Sequence, residues 1–465
     1  MARGKKKEKE LTPEEKLQQA LVPKEEHPYP VPDNWQYYRI NGIVTHLKRG
    51  KAPKYVEQSD IPVFAQKCNQ KDGTISLEKA QFLNPEVASR IKEEEFLKDE
   101  DVLINSTGTG TLGRVGYYRS DYSAPYKKVL PDSHMTVIRG IAVVSQNYLY
   151  YYLKSKQDYL EQQGVGTTNQ KELRPETIGN IVIPLPPLPE QQRIVNRIES
   201  LFAKLDEAKE RAQAVVDGFE DRKAAILHKA FTGELTAEWR KKRGISSAEW
   251  KAKTVGEISY VKGGKRVPKG MSLTDVDTGH PYLKAGNLKQ GTVIDKDLSF
   301  VPDDVLPLIK NYTVKAGDVY ITNVGACIGD CGVIPTRFDG ANLTENAVKL
   351  TNLQCISEYL ALYLSSNSVQ SFIKTLIASA TLGKLSIANI KTIPILLPSE
   401  EEQNQVIELI EKLLGKELDV RKIAEQVTDQ IDVMKKSILA RAFRGELGTN
   451  DPADESAEEL LKKIL

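Results

Sequence analysis

Ile183-Pro184-Leu185-Pro186-Pro187-Leu188-Pro189-Glu190-Gln191 opens a long helix-like stretch that closes on Ala230-Phe231-Thr232-Gly233-Glu234-Leu235. About 210 residues later the chain repeats itself. Ile393-Pro394-Ile395-Leu396-Leu397-Pro398 leads to Glu402-Gln403, and a second stretch closes on Ala442-Phe443-Arg444-Gly445-Glu446-Leu447. Ile178-Gly179-Asn180-Ile181 precedes the first opening and Ile387-Ala388-Asn389-Ile390 the second. A period this long exceeds the roughly 50 residues of solenoid repeats. It implies two copies of a whole module, each a globular domain followed by a long helix, which present two similar surfaces at a set separation.

The two stretches carry heptads. In the first, Ile198, Leu205, Ala212, Phe219 and Ile226 form one series and Ile194, Leu201, Ala208 and Val215 the other. In the second, Ile410, Ala424, Ile431 and Ile438 form one series, with Glu417 as its polar exception, and Val406, Leu413, Val420, Val427 and Met434 the other. Offsets of three and four make an a/d seam. Each helix is expected to run about 40 residues, roughly 60 Å at 1.5 Å per residue. Pro189 and Pro398 lie where a helix start tolerates proline, and Gly233 and Gly445 where helices stop. The expected arrangement is an antiparallel coiled coil with a globular domain at each end. The alternative is that each helix packs on its own domain.

Each globular segment echoes the other. Pro32-Asp33-Asn34-Trp35 opens one and Ala248-Glu249-Trp250 the other. Asp101-Val102-Leu103-Ile104 leads into Thr107-Gly108-Thr109-Gly110, as Gly317-Asp318-Val319-Tyr320-Ile321 leads into Gly325-Ala326-Cys327-Ile328-Gly329. Met135–Ile138 reads as strand, and Tyr148–Leu153 and Tyr359–Leu364 as short core helices. The fold class is α+β, two tandem mixed domains separated by two long helices with pseudo-twofold character. The boundaries expected are a charged tail over 1–29, a first domain over 30–188, the first helix over 189–235 and a linker over 236–249. A second domain over 250–397, the second helix over 398–446 and a tail over 447–465 follow. Because the halves are cyclically similar, the two ends are expected to meet near one domain. Between the echoes the segments differ, as when one scaffold carries two different sets of reading loops.

Composition narrows the classes. The chain has 465 residues, 65 Lys plus Arg against 63 Asp plus Glu, and a net charge of +2. That length calls for two or three domains, and no apolar run nears the roughly 18 residues of a membrane span. Of the four cysteines only Cys327 and Cys331 lie close, with no histidine to complete a metal site, so free thiols are expected. The five histidines show no metal spacing. Leu185 precedes Pro186-Pro187 where an adenine methyltransferase would need Asn or Asp before two prolines. A Walker loop is absent from the sequence, and Gly108-Thr109-Gly110 reads better as a turn than as a cofactor loop. The chain is expected to do no chemistry itself.

These doubled motifs resemble the DNA-specificity subunit of type I restriction–modification systems, over about Pro30 to Leu447. The resemblance implies two target-recognition domains, each reading one half of a split asymmetric site in double-stranded DNA. It implies helices that set the spacer and dock two methyltransferase subunits, joined by restriction/translocase subunits. S-adenosylmethionine would then sit on the methyltransferase partners, and ATP and Mg on the restriction partner, with no cofactor in this chain and no membrane. A cytoplasmic location follows. Two other classes stay open: a coiled-coil scaffold with two protein-binding domains, and a self-contained methyltransferase-nuclease.

DNA reading needs cations for phosphates and amides, hydroxyls or cationic tips for base edges. Lys48, Arg49, Lys51 and Lys54 form a basic stretch at the start of the first domain, matched by Lys262, Lys265, Arg266 and Lys269 in the second. The glycines among them are expected to let the backbone approach a phosphate. Candidate base contacts are Lys67, Gln70, Thr109, Thr111, Arg114 and His134 in the first domain. In the second they are Lys284, Asn287, Asn323, Thr344 and Asn346. Thr167, Asn169, Thr381 and Lys384, just before the helices, are candidates for backbone contact. Near-zero net charge predicts modest DNA affinity for the chain alone.

Overall fold

The computed structural model describes residues 13–71, 73–166, 171–246, 249–289, 291–378 and 383–464. It divides into one unit of residues 1–210 and 427–465 and another of residues 211–426. The first unit is built from two separate stretches and the second from one, and each takes the start of one long helix and the end of the other.

In the first unit a four-stranded antiparallel sheet runs in the order Val44–Arg49, Met135–Gly140, Val102–Asn105, Val115–Tyr117. The Val102–Asn105 strand is buried along its whole length, which explains a continuous apolar run rather than alternation. A second sheet sets Pro62–Phe64 parallel to Leu130–Pro131. Gln36–Arg39 pairs with Val182–Leu185, so the first and last strands of the domain close it just before the helix. Gln146–Ser155, capped by the Ser145 hydroxyl, puts Tyr148, Leu149, Tyr152 and Leu153 into the core.

The second unit has the same sheet order: Tyr260–Gly263, Ala347–Thr351, Val319–Thr322, Cys331–Val333. Pro281–Leu283 runs parallel to Asn342–Leu343, and Lys251–Thr254 pairs with Pro394–Leu397. Ser357–Leu364 supplies Tyr359, Leu360, Tyr363 and Leu364 to the core.

The first long helix is Leu188–Asp217, broken at Gly218 and resumed as Phe219–Phe231, so the expected unbroken 40 residues is corrected to two segments. The Arg222 guanidinium occupies the space a Gly218 side chain would need and donates to the Val215 carbonyl at 2.8 Å. The second long helix, Glu400–Ala442, is continuous. Pairing is antiparallel within each unit. In the first, Asp206 pairs with Lys435 and Lys209 with Asp432, one number rising by three as the other falls by three. In the second, Arg222 pairs with Glu417 at 2.6 Å, and Arg421 lies over the Phe219 ring.

Only one heptad series of the second helix stays covered along its length. Ile410, Ala424 and Ile431 are buried, and Glu417 sits in that series with its charge answered by Arg222. Val406 is buried against its domain, but Val420, Val427 and Met434 are exposed at 48%, 36% and 48%. Two helices side by side cover one narrow stripe of each other. A wider apolar face stays wet wherever no domain lies under it.

The repeated helix ends explain themselves. Phe443 meets Tyr148 and Tyr152 edge to face, at 5.3 and 5.0 Å between ring centroids, inside the first unit. Phe231 meets Tyr359 and Tyr363 in the second. Each domain is therefore packed by the start of its own following helix and the end of the other. Described segments toward the two termini meet in the first unit: Trp35 donates to Asn450 at 3.2 Å, and Asn34 to the Asp451 carbonyl at 3.1 Å. Ala457 joins that core as well.

Candidate nucleic-acid interface

In the first unit three loops converge where the Val102–Asn105 strand ends. The Ser106 amide donates to the His134 carbonyl at 2.8 Å, and the Leu173 amide to the Ser106 carbonyl at 2.8 Å. The His134 amide donates to the Asp132 carboxylate at 2.8 Å. The second unit repeats this frame. Asn323 donates to the Asn346 carbonyl at 2.9 Å, Leu385 to the Asn323 carbonyl at 3.0 Å, and Asn346 to the Thr344 hydroxyl at 3.4 Å. Different side chains stand on the same backbone scaffold.

Around this frame in the first unit lies a polar network. Gln66 donates to the Thr107 hydroxyl at 2.7 Å, which contacts His134 Nδ1 at 2.7 Å. Thr111 reaches the Gln66 side-chain oxygen at 3.4 Å. Buried Asn69 ties Asn105 and the Arg114 carbonyl together at 2.9 and 3.1 Å. The turn after the strand needs positive φ at Gly108, Gly110 and Gly113, which glycine adopts without strain, and its crest exposes Thr109. Gln66, Asn69, Asn105 and Thr107 were not among the sequence candidates. Their polarity next to Lys67 and Gln70 was the only signal, and their partners lie about 30 to 45 residues away in sequence.

The candidates divide by what holds them. Lys48, Lys67, Lys262 and Lys384 are exposed, and no ion pair involves them among the described residues. Lys51 pairs with Glu95 at 2.6 Å, Arg49 with Glu172 at 2.5 Å and Arg266 with Glu345 at 2.5 Å. Lys265 lies over the Tyr312 ring, and Lys284 donates to Ser299 at 2.6 Å. Gln70 donates to the Lys67 carbonyl at 2.6 Å. Three candidates are committed to the fold. Arg114 donates to the Asn69 carbonyl at 2.6 Å, buried Asn287 donates to the Ile294 and Lys296 carbonyls, and buried Thr344 supports Asn346. Thr167, Asn169 and Thr381 lie outside the described residues.

The structure gives two of these glycines a role inside the fold. A side chain at Gly50 would meet the Pro131 carbonyl at 2.1 Å, and one at Gly264 the Thr344 carbonyl at 2.0 Å. Both glycines let the strand cross closely over the neighbouring sheet of its own domain. Among the described residues no cluster could hold a metal, and all four cysteines are free thiols. Burial pushes the Cys331 thiol up to about 12. No described helix is long and apolar enough to cross a membrane.

Comparison with known proteins places this architecture. The model of the type I restriction modification DNA specificity domain matches twice, at residues 32–216 and 247–428. The chain is 22% identical over 465 residues to the type I restriction enzyme EcoKI specificity subunit of Escherichia coli K12, covering 93% of this chain and 95% of that one. The fold is similar to the HsdS subunit from Thermoanaerobacter tengcongensis, with a TM-score of 0.59 and 17% identity over 91% of this chain and all of that one. It is similar at a TM-score of 0.64 and 17% identity to a chain from a structure described as underlying complex assembly and conformational transition of the type I R-M system. That match covers 90% of this chain and all of the other. With two domain matches over most of its length, the chain belongs to the type I restriction–modification DNA-specificity family and is a specificity subunit of such a system.

Proposed function

We propose that each unit reads one half of a split, asymmetric site in double-stranded DNA, and that the chain performs no catalysis. The observation that carries this reading is the three-loop frame, built twice with the same backbone hydrogen bonds but different side chains at corresponding positions: Thr107 and His134 against Val324 and Asn346. A scaffold kept constant while its tips differ fits two readers of different sequences. Exposed Lys48, Lys67, Lys262 and Lys384 supply cations for phosphates, which position the protein without carrying sequence information.

Two methyltransferase subunits, carrying S-adenosylmethionine, dock on the long helices, and restriction subunits using ATP and Mg join them in the cytoplasm. Exposed apolar side chains support docking: Leu418, Val420 and Ile423 in the second unit, and Val427, Val433 and Met434 in the first. Mapping adenine methylation across a genome that expresses the methyltransferase subunit, with and without this chain, tests the reading. A split asymmetric motif that appears only with the chain is expected. Methylation unchanged by omitting the chain would show that recognition lies elsewhere.

A further inference from the structure

We infer that His134 and Asn346, which occupy the same place in the two three-loop frames, are specificity-determining residues that each read one base pair of their own half-site. The inference rests on the DNA-reading function proposed above and deepens it to single residues. The two correspond by hydrogen bonding. Each accepts at its carbonyl from the residue just past the central strand, Ser106 or Asn323. Each donates its amide to a side chain two residues earlier, Asp132 or Thr344. Backbone pinned on both sides gives the side chain a fixed origin, as readout at a groove edge requires.

The chemistry each presents differs. The Gln66 amide donates to the Thr107 oxygen, so the Thr107 hydrogen is free to point at His134 Nδ1. Thr111 donating to Gln66 runs in the same direction. An imidazole that accepts at Nδ1 carries its proton on Nε2. His134 is exposed and so offers a lone donor at its tip, which suits the N7 and O6 acceptors of guanine in a major groove. Asn346 is half-buried, and its side-chain amide makes no hydrogen bond among the described residues. An amide offers one donor and one acceptor together, the pattern that fits the N6 and N7 edge of adenine. Next to it in the frame, the Asn323 side-chain oxygen is buried without a partner, an acceptor left for an incoming group.

The test is methylation mapping with the full chain in its methyltransferase complex, comparing wild type with single variants. His134→Ala should lower the preference at one position of one half-site by roughly ten- to a hundred-fold, leaving the other half-site and the spacer unchanged. Asn346→Ala should do the same in the other half-site. His134→Asn should move that one position from guanine toward adenine. Thr107→Val, which removes only the positioning hydroxyl, should blur the position that His134 reads and no other. Should His134→Ala fail to fold, His134→Phe, which keeps a ring but has no donor at the tip, takes its place with the same loss of preference expected.

Variants that return the wild-type motif would overturn this inference and leave the two-reader function standing. A uniform weakening at every position would also overturn it, marking these residues as phosphate contacts or fold supports. A wild-type chain that imposes no split motif would bring down the two-reader function and this inference with it.

Discussion

Glu402 and Glu190 are the acidic halves of the doubled Glu-Gln pairs, and both are buried. Glu402 accepts from Arg240 at 2.5 Å, Thr236 at 2.7 Å and Trp250 at 2.9 Å. Glu190 accepts from Thr449 at 2.7 Å and Arg193 at 3.0 Å. Gln191 and Gln403 beside them satisfy backbone groups of their own domains. Truncating Glu402 to Ala leaves the Arg240 charge buried and unpaired. A loss of about 3–5 kcal/mol in urea unfolding is expected, with a smaller loss for Glu402→Gln. His46 gives a pH signature. Burial, then Arg139 and Lys48, pull its pKa from 6.5 down to about 4, against the weaker opposing pull of Glu94. The unfolded chain takes up this proton near pH 6.5 and the folded chain only near 4, so acid favours unfolding in between. The stabilisation is full above about pH 6.5 and is lost as pH falls through about 4. Thermal melts should show His46→Gln losing less stability than wild type between about pH 7.5 and 5, and equal losses would contradict this. The sequence displayed the Glu-Gln pairs plainly. It could not display their partners, because Arg240 and Thr449 lie more than 150 residues away in sequence. For the same reason the sequence does not display the polar network around Gln66 and Thr107, nor the hydrogen bonds that tie the candidates Arg114, Asn287 and Thr344 to their own domains.

The long helices were legible because periodicity is local information. That they pair followed from the seam, and the ion pairs Asp206–Lys435 and Lys209–Asp432 show the antiparallel direction. Two details did not follow. Gly218 interrupts the first helix, and the space it leaves belongs to Arg222, a residue whose own placement depends on Glu417 of the other helix. The heptad of the second helix was read as a seam along its whole length, yet one series is exposed beyond the domain core. A pattern gives the apolar face but not the width of what covers it. At the helix ends, Phe231 and Phe443 serve as wedges between tyrosines. Phe443→Ala should cost about 3–5 kcal/mol of stability, since it opens a cavity beside Tyr148 and Tyr152. The same substitution at an exposed apolar site such as Val420 should cost under about 1 kcal/mol while weakening capture of the methyltransferase subunit. Chemical denaturation and pull-down of the two variants would separate the roles. Equal stability losses at the two sites would contradict the assignment.

At the scale of the molecule, the repeat in the sequence corresponds to two units with one sheet order, each closed by an antiparallel ribbon and each sharing both long helices. The cyclic relation of the halves appears as the segments around Trp35 and Asn450 meeting in the first unit. Two readers on a helical spacer make a geometric prediction that depends on neither base contacts nor affinity. Duplicating one heptad in each helix, Leu205–Arg211 in the first and Gln430–Lys436 opposite it, keeps the seam in register and adds about 10 Å of helix at 1.5 Å per residue. At roughly 3.4 Å per base pair that is about three base pairs. The measurement is methylation mapping of the duplicated chain beside wild type, both with the methyltransferase subunit. The account predicts two unchanged half-sites separated by a spacer about three base pairs longer. An unchanged spacer, or a changed half-site, would contradict it.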